Sequence, residues 1–232
     1  MRSEDWDRRY AEDEFLWTVE PNRFVVDELG DLPPANALDL ACGEGRNAVW
    51  LAQRGWRVTA VDFSPVALSK ARRLAAARGV TVDWVLADLL EYQPSVEAFQ
   101  LALVAYLQIP PEERAAVLSM ACSALAPDGR ILVVGHDSTN LRDGVGGPQD
   151  PNLLYSPDDI AAELPGLLVH QAERVRRPVE VDGRLSAAID TLVLASRPRR
   201  PRRRVISPSA AETAPCGSCR RPGRHLPGRP EC

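Results

Sequence analysis

The chain has no apolar run close to the roughly 18 residues that a membrane-crossing helix needs. Its first residues, MRSEDWDRRYAEDE, are charged and lack the apolar core of a secretory signal. Cysteine is scarce and unevenly placed. Of five, Cys42 and Cys122 lie in core-like segments, while Cys216, Cys219 and Cys232 crowd toward the end. An odd number at scattered spacing is not a disulfide framework, so a cytoplasmic setting is expected. With 232 residues there is also no length for two large domains. Positive charge is outnumbered by negative outside the tail. From Arg197 onward ten Arg face two Glu, yet the whole chain carries a net charge of −4, so the preceding body is acidic. An acidic body lacks the basic face that phosphate contacts require, and nucleic acid is not an expected partner.

What is present is an ordinary globular composition, 45% hydrophobic and 26% charged, enough for one full core. Short apolar runs alternate with helical stretches. Strands are predicted at Ala37–Ala41, Arg57–Asp62, Val80–Ala87, Phe99–Ala105 and Arg130–Gly135. Helices are predicted at Arg46–Arg54, at Pro65–Arg78 behind Ser64 as N-cap and ahead of Gly79 as terminator, and at Pro111–Ala126. Continuous apolar strands alternating with helices imply a parallel sheet covered on both faces. The pattern then changes. A helix, Pro157–Leu164, precedes two strand-like stretches, Leu167–Arg176 and Ser186–Ser196, joined by the hairpin signal Val181-Asp182-Gly183-Arg184. Residues 1–198 thus read as one α/β domain ending in an antiparallel pair. Residues 199–232, rich in Pro and Arg, read as a disordered tail. Cys216-Gly-Ser-Cys219, with His225 and Cys232 nearby, lacks the folded scaffold of a structural zinc site, and no metal is expected.

The informative segment is Asp39-Leu-Ala-Cys-Gly43-Glu-Gly45-Arg-Asn-Ala48, passing from a predicted strand into a helix. Gly43 and Gly45 permit a sharp turn and close approach of a ligand. The next strand ends in Asp62, placed to accept from ribose hydroxyls, and the third in Ala87-Asp88-Leu89, beside an adenine position. Asp39, Asp62 and Asp88 therefore gather at the sheet edge where open α/β folds bind nucleotides. Gly43-x-Gly45-x-x-Ala48 also satisfies a dinucleotide fingerprint, which keeps an NAD(P)-dependent oxidoreductase open. Asp39, inside its strand, suits a cationic ammonium better than a pyrophosphate.

Asp39-x-x-Cys-Gly43-x-Gly45-Arg-Asn resembles motif I of class I S-adenosylmethionine (SAM)-dependent methyltransferases, in the form seen in the tellurite-resistance methyltransferase-like group. The resemblance spans roughly Trp6 to Pro198. It implies a Rossmann-like three-layer sandwich, with a seven-stranded, mostly parallel sheet in the order 3-2-1-4-5-7-6 and strand 7 antiparallel. It implies SAM as cofactor, held at its methionine portion by Asp39, Ala41, Gly43 and Gly45, at the ribose by Asp62 and Phe63, at the adenine by Asp88 and Leu89, with Ala105 completing the set. It also places a Trp-x-x-x-Tyr helix over the site, which brings in Tyr10. Two departures stand out: Ala41 replaces the first glycine of the motif, and Gln100 replaces an acidic residue at the start of strand four.

On the acceptor side, Tyr106-Leu-Gln108 and His136-Asp137 follow strands four and five at the same edge, and Tyr10, Tyr106 and His136 are the candidate catalytic residues. SAM is already activated, so a base is needed only for acceptors that arrive protonated. Trp6, Phe15 and Trp17 read as anchors of the N-terminal segment, His170 as structural, and the Arg174–Arg177 run and Arg184 as a solvated hairpin face. A small-molecule methyl acceptor is the expected partner. A SAM-binding protein without catalysis remains the third reading.

Overall fold

The structure is a computed structural model and describes residues 3–12, 14–181 and 183–199. Two helices open the chain, α1 (Ser3–Glu12) and α2 (Arg23–Leu29). There follow β1 (Asn36–Leu40), α3 (Arg46–Gln53), β2 (Arg57–Asp62), α4 (Pro65–Ala77), β3 (Asp83–Leu86) and β4 (Phe99–Ala105). The second half holds α5 (Pro111–Ala124), β5 (Leu125–His136), α6 (Asn140–Asp143), α7 (Pro157–Ala162), β6 (Leu168–Val181) and β7 (Arg184–Ser196). The seven strands form one sheet in the order β3-β2-β1-β4-β5-β7-β6. β1 to β5 pair in parallel, and β7 runs antiparallel to both its neighbours. The topology expected from the resemblance is therefore observed.

The two-residue period of the strands divides the core between the two faces of the sheet. Leu38, Leu40, Ala102, Val104, Ile131 and Val133 pack with Val117 and Leu118 of α5 and Ile160 of α7. Ala37, Ala60, Leu101, Leu103, Leu132 and Val134 pack with Phe24 and Leu29 of α2 and Leu51 of α3. Both sets are buried, which is why the central strands read as unbroken apolar runs.

Several elements differ from expectation. β3 begins at Asp83 because Val80 closes α4: Gly79 N–H donates to the Ala76 carbonyl and Val80 N–H to that of Ala75, with Gly79 at φ +68°. β5 begins at Leu125, which pairs with Phe99 ahead of a bulge, so α5 stops two residues short of its expected end. The β6–β7 hairpin is longer than expected and continues past the last β5 pair, His136 with Asp190, toward its turn. Finally, α2 went unanticipated. Its N-cap Asn22 accepts from the N–H groups of Phe24 at 2.9 Å and Val25 at 3.4 Å, a signal present in the sequence just ahead of buried Phe24 and Val25. The tail from residue 200, with its Cys216–Cys232 cluster, lies outside the described residues.

Candidate active site

Where the parallel strands end, the chain turns into α3 through a loop with three left-handed residues: Ala41 at φ 58°, Gly43 at 55° and Gly45 at 80°. Gly45 has no room for a side chain, since a Cβ there would stand 2.6 Å from the Trp84 ring and 2.7 Å from Ala71 Cβ. Asp62, at the end of β2, sets the loop's shape. Its Oδ2 accepts the Gly43 N–H at 2.8 Å and its Oδ1 accepts the Ser64 N–H at 2.9 Å. Ala41 is the strained member, because an L-residue in this conformation costs about 1–2 kcal/mol. Ala41→Gly is expected to raise stability by roughly 0.5–1 kcal/mol, about 1–4 °C in melting temperature. A lower denaturant midpoint would mean that the packing of the Ala41 methyl outweighs its strain.

Asp39 is 1% exposed, and its Oδ2 has no hydrogen-bond partner among the described residues. Burial, reinforced by Asp62, pushes its carboxyl up to about 8, against the opposing pull of Arg46 and the Ala48 N–H. Arg46, at the first turn of α3, is depressed mainly by burial and makes no ion pair within the described residues, although Tyr106, Asp39 and Glu44 favour its charge. An unanswered carboxylate oxygen and an unpaired guanidinium thus stand at one loop, the complement of a zwitterion bearing an ammonium and a carboxylate. Arg46 lies within the motif, but its separation from any acidic partner is visible only in three dimensions.

The N-terminal segment covers this edge. Tyr10 is buried, with its hydroxyl 3.0 Å from where a Cβ on Gly43 would stand, and burial together with Asp62 and Glu44 raises its pKa. Trp6 stacks on it at 5.5 Å. Ser3 Oγ donates to the Phe63 carbonyl at 3.1 Å, and Asp7 pairs with Ser64. Glu44, unassigned in the sequence reading, is 5% exposed and ties the segment down. It accepts from the N–H groups of Leu16 at 2.9 Å and Trp17 at 3.1 Å, and pairs with Lys70 at 2.9 Å. Phe15 anchors the segment as expected, and Trp17, though 47% exposed as a residue, hydrogen-bonds the Tyr10 side chain. Asp88 takes up a turn, accepting the Leu90 N–H at 2.9 Å, and Leu89 is buried in the core. Ala105 closes β4 half-buried.

A second cluster forms on the other side, at the ends of β4 and β5. The rings of Tyr106 and His136 are 5.1 Å apart, so two of the three candidate catalytic residues come together while Tyr10 stays with the glycine loop. Tyr106 is itself left-handed at φ 60°. Its hydroxyl donates to Asp190 Oδ2 at 2.8 Å and accepts from Arg177 Nε at 3.0 Å. Gln108 accepts the His136 N–H at 3.0 Å and donates to the Leu153 carbonyl at 2.6 Å. Expected on a solvated hairpin face, Arg174 does stay half-exposed while reaching Asp137, whereas Arg177 turns inward to Asp190, each pair at 2.9 Å, and both carboxylates are fully buried. The antiparallel register carries the hairpin up against the edge and aims these side chains at it. His170 lies on exposed β6, with Nε2 2.7 Å from Ser196 Oγ. Gln100 lies at the opposite end of β4, accepting the Asn36 N–H at 3.1 Å, so the departure there does not touch the site. Asp190 was missed in sequence, although an aspartate inside the apolar run SAAIDTLVLAS is itself a sign of a buried polar contact.

A sheet with an antiparallel seventh strand inserted between the fifth and sixth departs from the dinucleotide-binding order 3-2-1-4-5-6. Residues 37–129 match the family model described as a methyltransferase domain. The strand order is that of the Rossmann-like methyltransferase fold, and within it residues 37–129 are similar to a methyltransferase domain. Relatives of the chain include the demethylmenaquinone methyltransferase of Thermus thermophilus, 35% identical over 114 residues that make up 48% of this chain and 52% of that one. The chain spans about half the length of the curated relatives it matches. Among solved structures, the N-methyltransferase NodS from Bradyrhizobium japonicum, in complex with S-adenosyl-L-homocysteine, superimposes with a TM-score of 0.67 at 19% identity, over 85% of this chain and 98% of that one. TehB from Haemophilus influenzae gives 0.64 at 17% identity, over 76% and 62% respectively. At these identities the structures share the fold.

Proposed function

We propose that the chain transfers the methyl group of SAM to a small-molecule acceptor, and that residues 1–198 are the domain that does so. The observation that carries this is that, among the described residues, buried Asp39 Oδ2 has no hydrogen-bond partner and the Arg46 guanidinium beside it makes no ion pair. Together they answer the α-ammonium and α-carboxylate of a methionine-like group, whereas a buried carboxylate at that point repels a pyrophosphate. In this reading Gly43 and Gly45 bring backbone close to the ligand, Ala41 and Ala105 flank it, and Asp62 and Phe63 meet the ribose. Asp88 and Leu89 border the adenine, and Tyr10 closes over the loop. SAM supplies the activated methyl group. The protein supplies alignment, worth about 7–11 kcal/mol when two reactants are well oriented. Tyr106 and His136 then face the acceptor.

Thermal-shift and calorimetric titrations with SAM, S-adenosylhomocysteine, NAD and NADP test the cofactor. Both adenosyl compounds are expected to bind and to raise the melting temperature, as any native-state ligand does. A shift with NAD or NADP alone would overturn the reading in favour of hydride transfer.

A further inference from the structure

We propose that His136, positioned by Asp190, takes the proton from a neutral hydroxyl or amino acceptor as the methyl group is transferred. This rests on the SAM methyltransferase reading above and adds to it the chemical class of the acceptor.

The geometry begins with strand register. His136, the last residue of β5, lies directly opposite Asp190 of β7. Its Nδ1 is 3.2 Å from Asp190 Oδ1, an ion-pair distance short of hydrogen-bond alignment, and among the described residues neither buried atom has a hydrogen-bond partner, so each is the other's nearest polar complement. Asp190 is otherwise fully committed: its Oδ2 accepts from Arg177 Nε at 2.9 Å and from the Tyr106 hydroxyl at 2.8 Å. Burial would raise this carboxyl, but His136, Arg177 and Tyr106 together hold it below its usual range, so it stays ionised. An ionised carboxylate accepts only. The proton of a neutral imidazole therefore belongs on Nδ1, and the lone pair on Nε2.

Nε2 has no hydrogen-bond partner among the described residues, and the His136 side chain is 14% exposed, open at one end. The ring meets Tyr106, tilted 60° to it at 5.1 Å, and is approached closely by Gly147. Gly147 stands at φ +78°, and a Cβ there would come within 2.9 Å of the imidazole. The loop can approach the ring this closely because residue 147 is glycine. The charged and titratable groups facing the imidazole are Asp190 from β7, Arg177 from β6 and Tyr106 after β4. Asp137, next in the chain, is occupied by Thr139, Arg174 and Thr191. A histidine with a purely structural part would have no need of an open Nε2 at the edge where the carboxylates of the site converge.

In the step, the acceptor O–H or N–H proton moves to Nε2 while the acceptor lone pair forms the bond to the methyl carbon. The electron pair of the broken C–S bond remains on sulfur, and the imidazolium, stabilised by Asp190, later releases its proton to water. Thiolates and chalcogen oxyanions arrive already ionised and gain nothing from such a base. The arrangement therefore serves phenols, enols, other hydroxyls or N–H groups that are neutral at working pH.

The test has a structural arm and a kinetic arm. Long-range 1H–15N spectra of the 15N-labelled full chain with S-adenosylhomocysteine should show His136 as the Nδ1–H tautomer at neutral pH, and Asp190→Asn should shift it toward Nε2–H. An Nε2–H tautomer in the unmodified protein overturns the proposal. In the kinetic arm, His136→Asn should lower kcat for catechol about 100- to 1,000-fold and remove the acidic limb of the pH profile, while S-adenosylhomocysteine affinity stays within about twofold. With 4-nitrocatechol, largely ionised at pH 8, the loss should shrink below about tenfold. An equal loss with both phenols, or methylation of thiophenol but of no O–H or N–H acceptor among catechol, 1-naphthol and imidazole, overturns the proposal. Failure of the unmodified protein to bind S-adenosylhomocysteine overturns the cofactor reading instead, and calorimetry separates the two.

Discussion

Asp39→Asn is expected to stabilise the ligand-free protein and to cripple SAM binding at the same time. The Asp39 carboxyl is raised from 3.8 to about 8 by burial and by Asp62. A carboxyl raised in the native state favours folding while it is protonated. That contribution is complete below the unfolded value near 3.8 and is lost progressively as pH rises toward about 8. At pH 7 the folded protein carries a penalty of about 2–4 kcal/mol that a neutral amide escapes, or about 5–15 °C in melting temperature. The stability gap between the variant and the parent should therefore widen from pH 5 to pH 8. Binding moves the other way. Pairing an ammonium requires the ionised form, so SAM affinity in the parent should climb between pH 6 and 7.5, and it should fall by roughly 100-fold in Asp39→Asn at neutral pH. Melting curves at pH 5 and 8, with calorimetric titrations of SAM, give both numbers. Parallel pH dependence in the two proteins would refute the electrostatic account, and unimpaired affinity would remove Asp39 from the site.

The second large effect is expected at Asp62. Asp62→Ala strips the acceptor from two buried N–H groups, Gly43 and Ser64, which hold the glycine loop and the start of α4. Leaving both unanswered costs about 2–4 kcal/mol of stability. A residue that merely ends a strand would lose about 1 kcal/mol as a cap. Loss of the ribose contact and of loop shape together should weaken SAM binding about 30- to 1,000-fold. Asp62→Asn keeps one acceptor oxygen but turns its amide N–H toward one of the two donors, so it should fall between the parent and Asp62→Ala in both measures. Titrations well below each variant's melting temperature distinguish weakened binding from unfolding. Lost stability with full affinity would reduce Asp62 to a loop clamp.

Much of this is legible in the sequence. The strand spanning Phe99–Ala105 is legible to the residue, because it is an apolar run broken only by Gln100 and no competing signal adjoins it. The start of α4 was equally plain, because Ser64 and Pro65 supply the cap and the first helical position, and Ser64 Oγ accepts the Ala67 N–H at 3.0 Å. Val80 misled, because β-branched apolar residues suit a strand, while the hydrogen bond that closes α4 had prior claim to its N–H. Phe24 and Leu29 in short α2 carry too few turns for periodicity to register, and the helix is held by packing against the sheet.

The sequence by itself determined the strand-to-helix glycine turn, the carboxylates Asp39 and Asp62 that flank it, and the sheet class. Each of these depends on local periodicity and turn chemistry, which neighbouring residues encode. Tertiary structure alone decided what each polar group meets. Asp190 reaches His136 and Arg177 through antiparallel register across β7, and Tyr106 joins them from 84 positions away in the chain. Glu44 finds the backbone of Leu16 and Trp17, 28 and 27 positions distant. Among the described residues Arg46 makes no ion pair, although Glu44 and Asp39 stand close to it in sequence. Partnership over such distances follows from how the strands are ordered and which way the hairpin runs, and no window of adjacent residues contains that information.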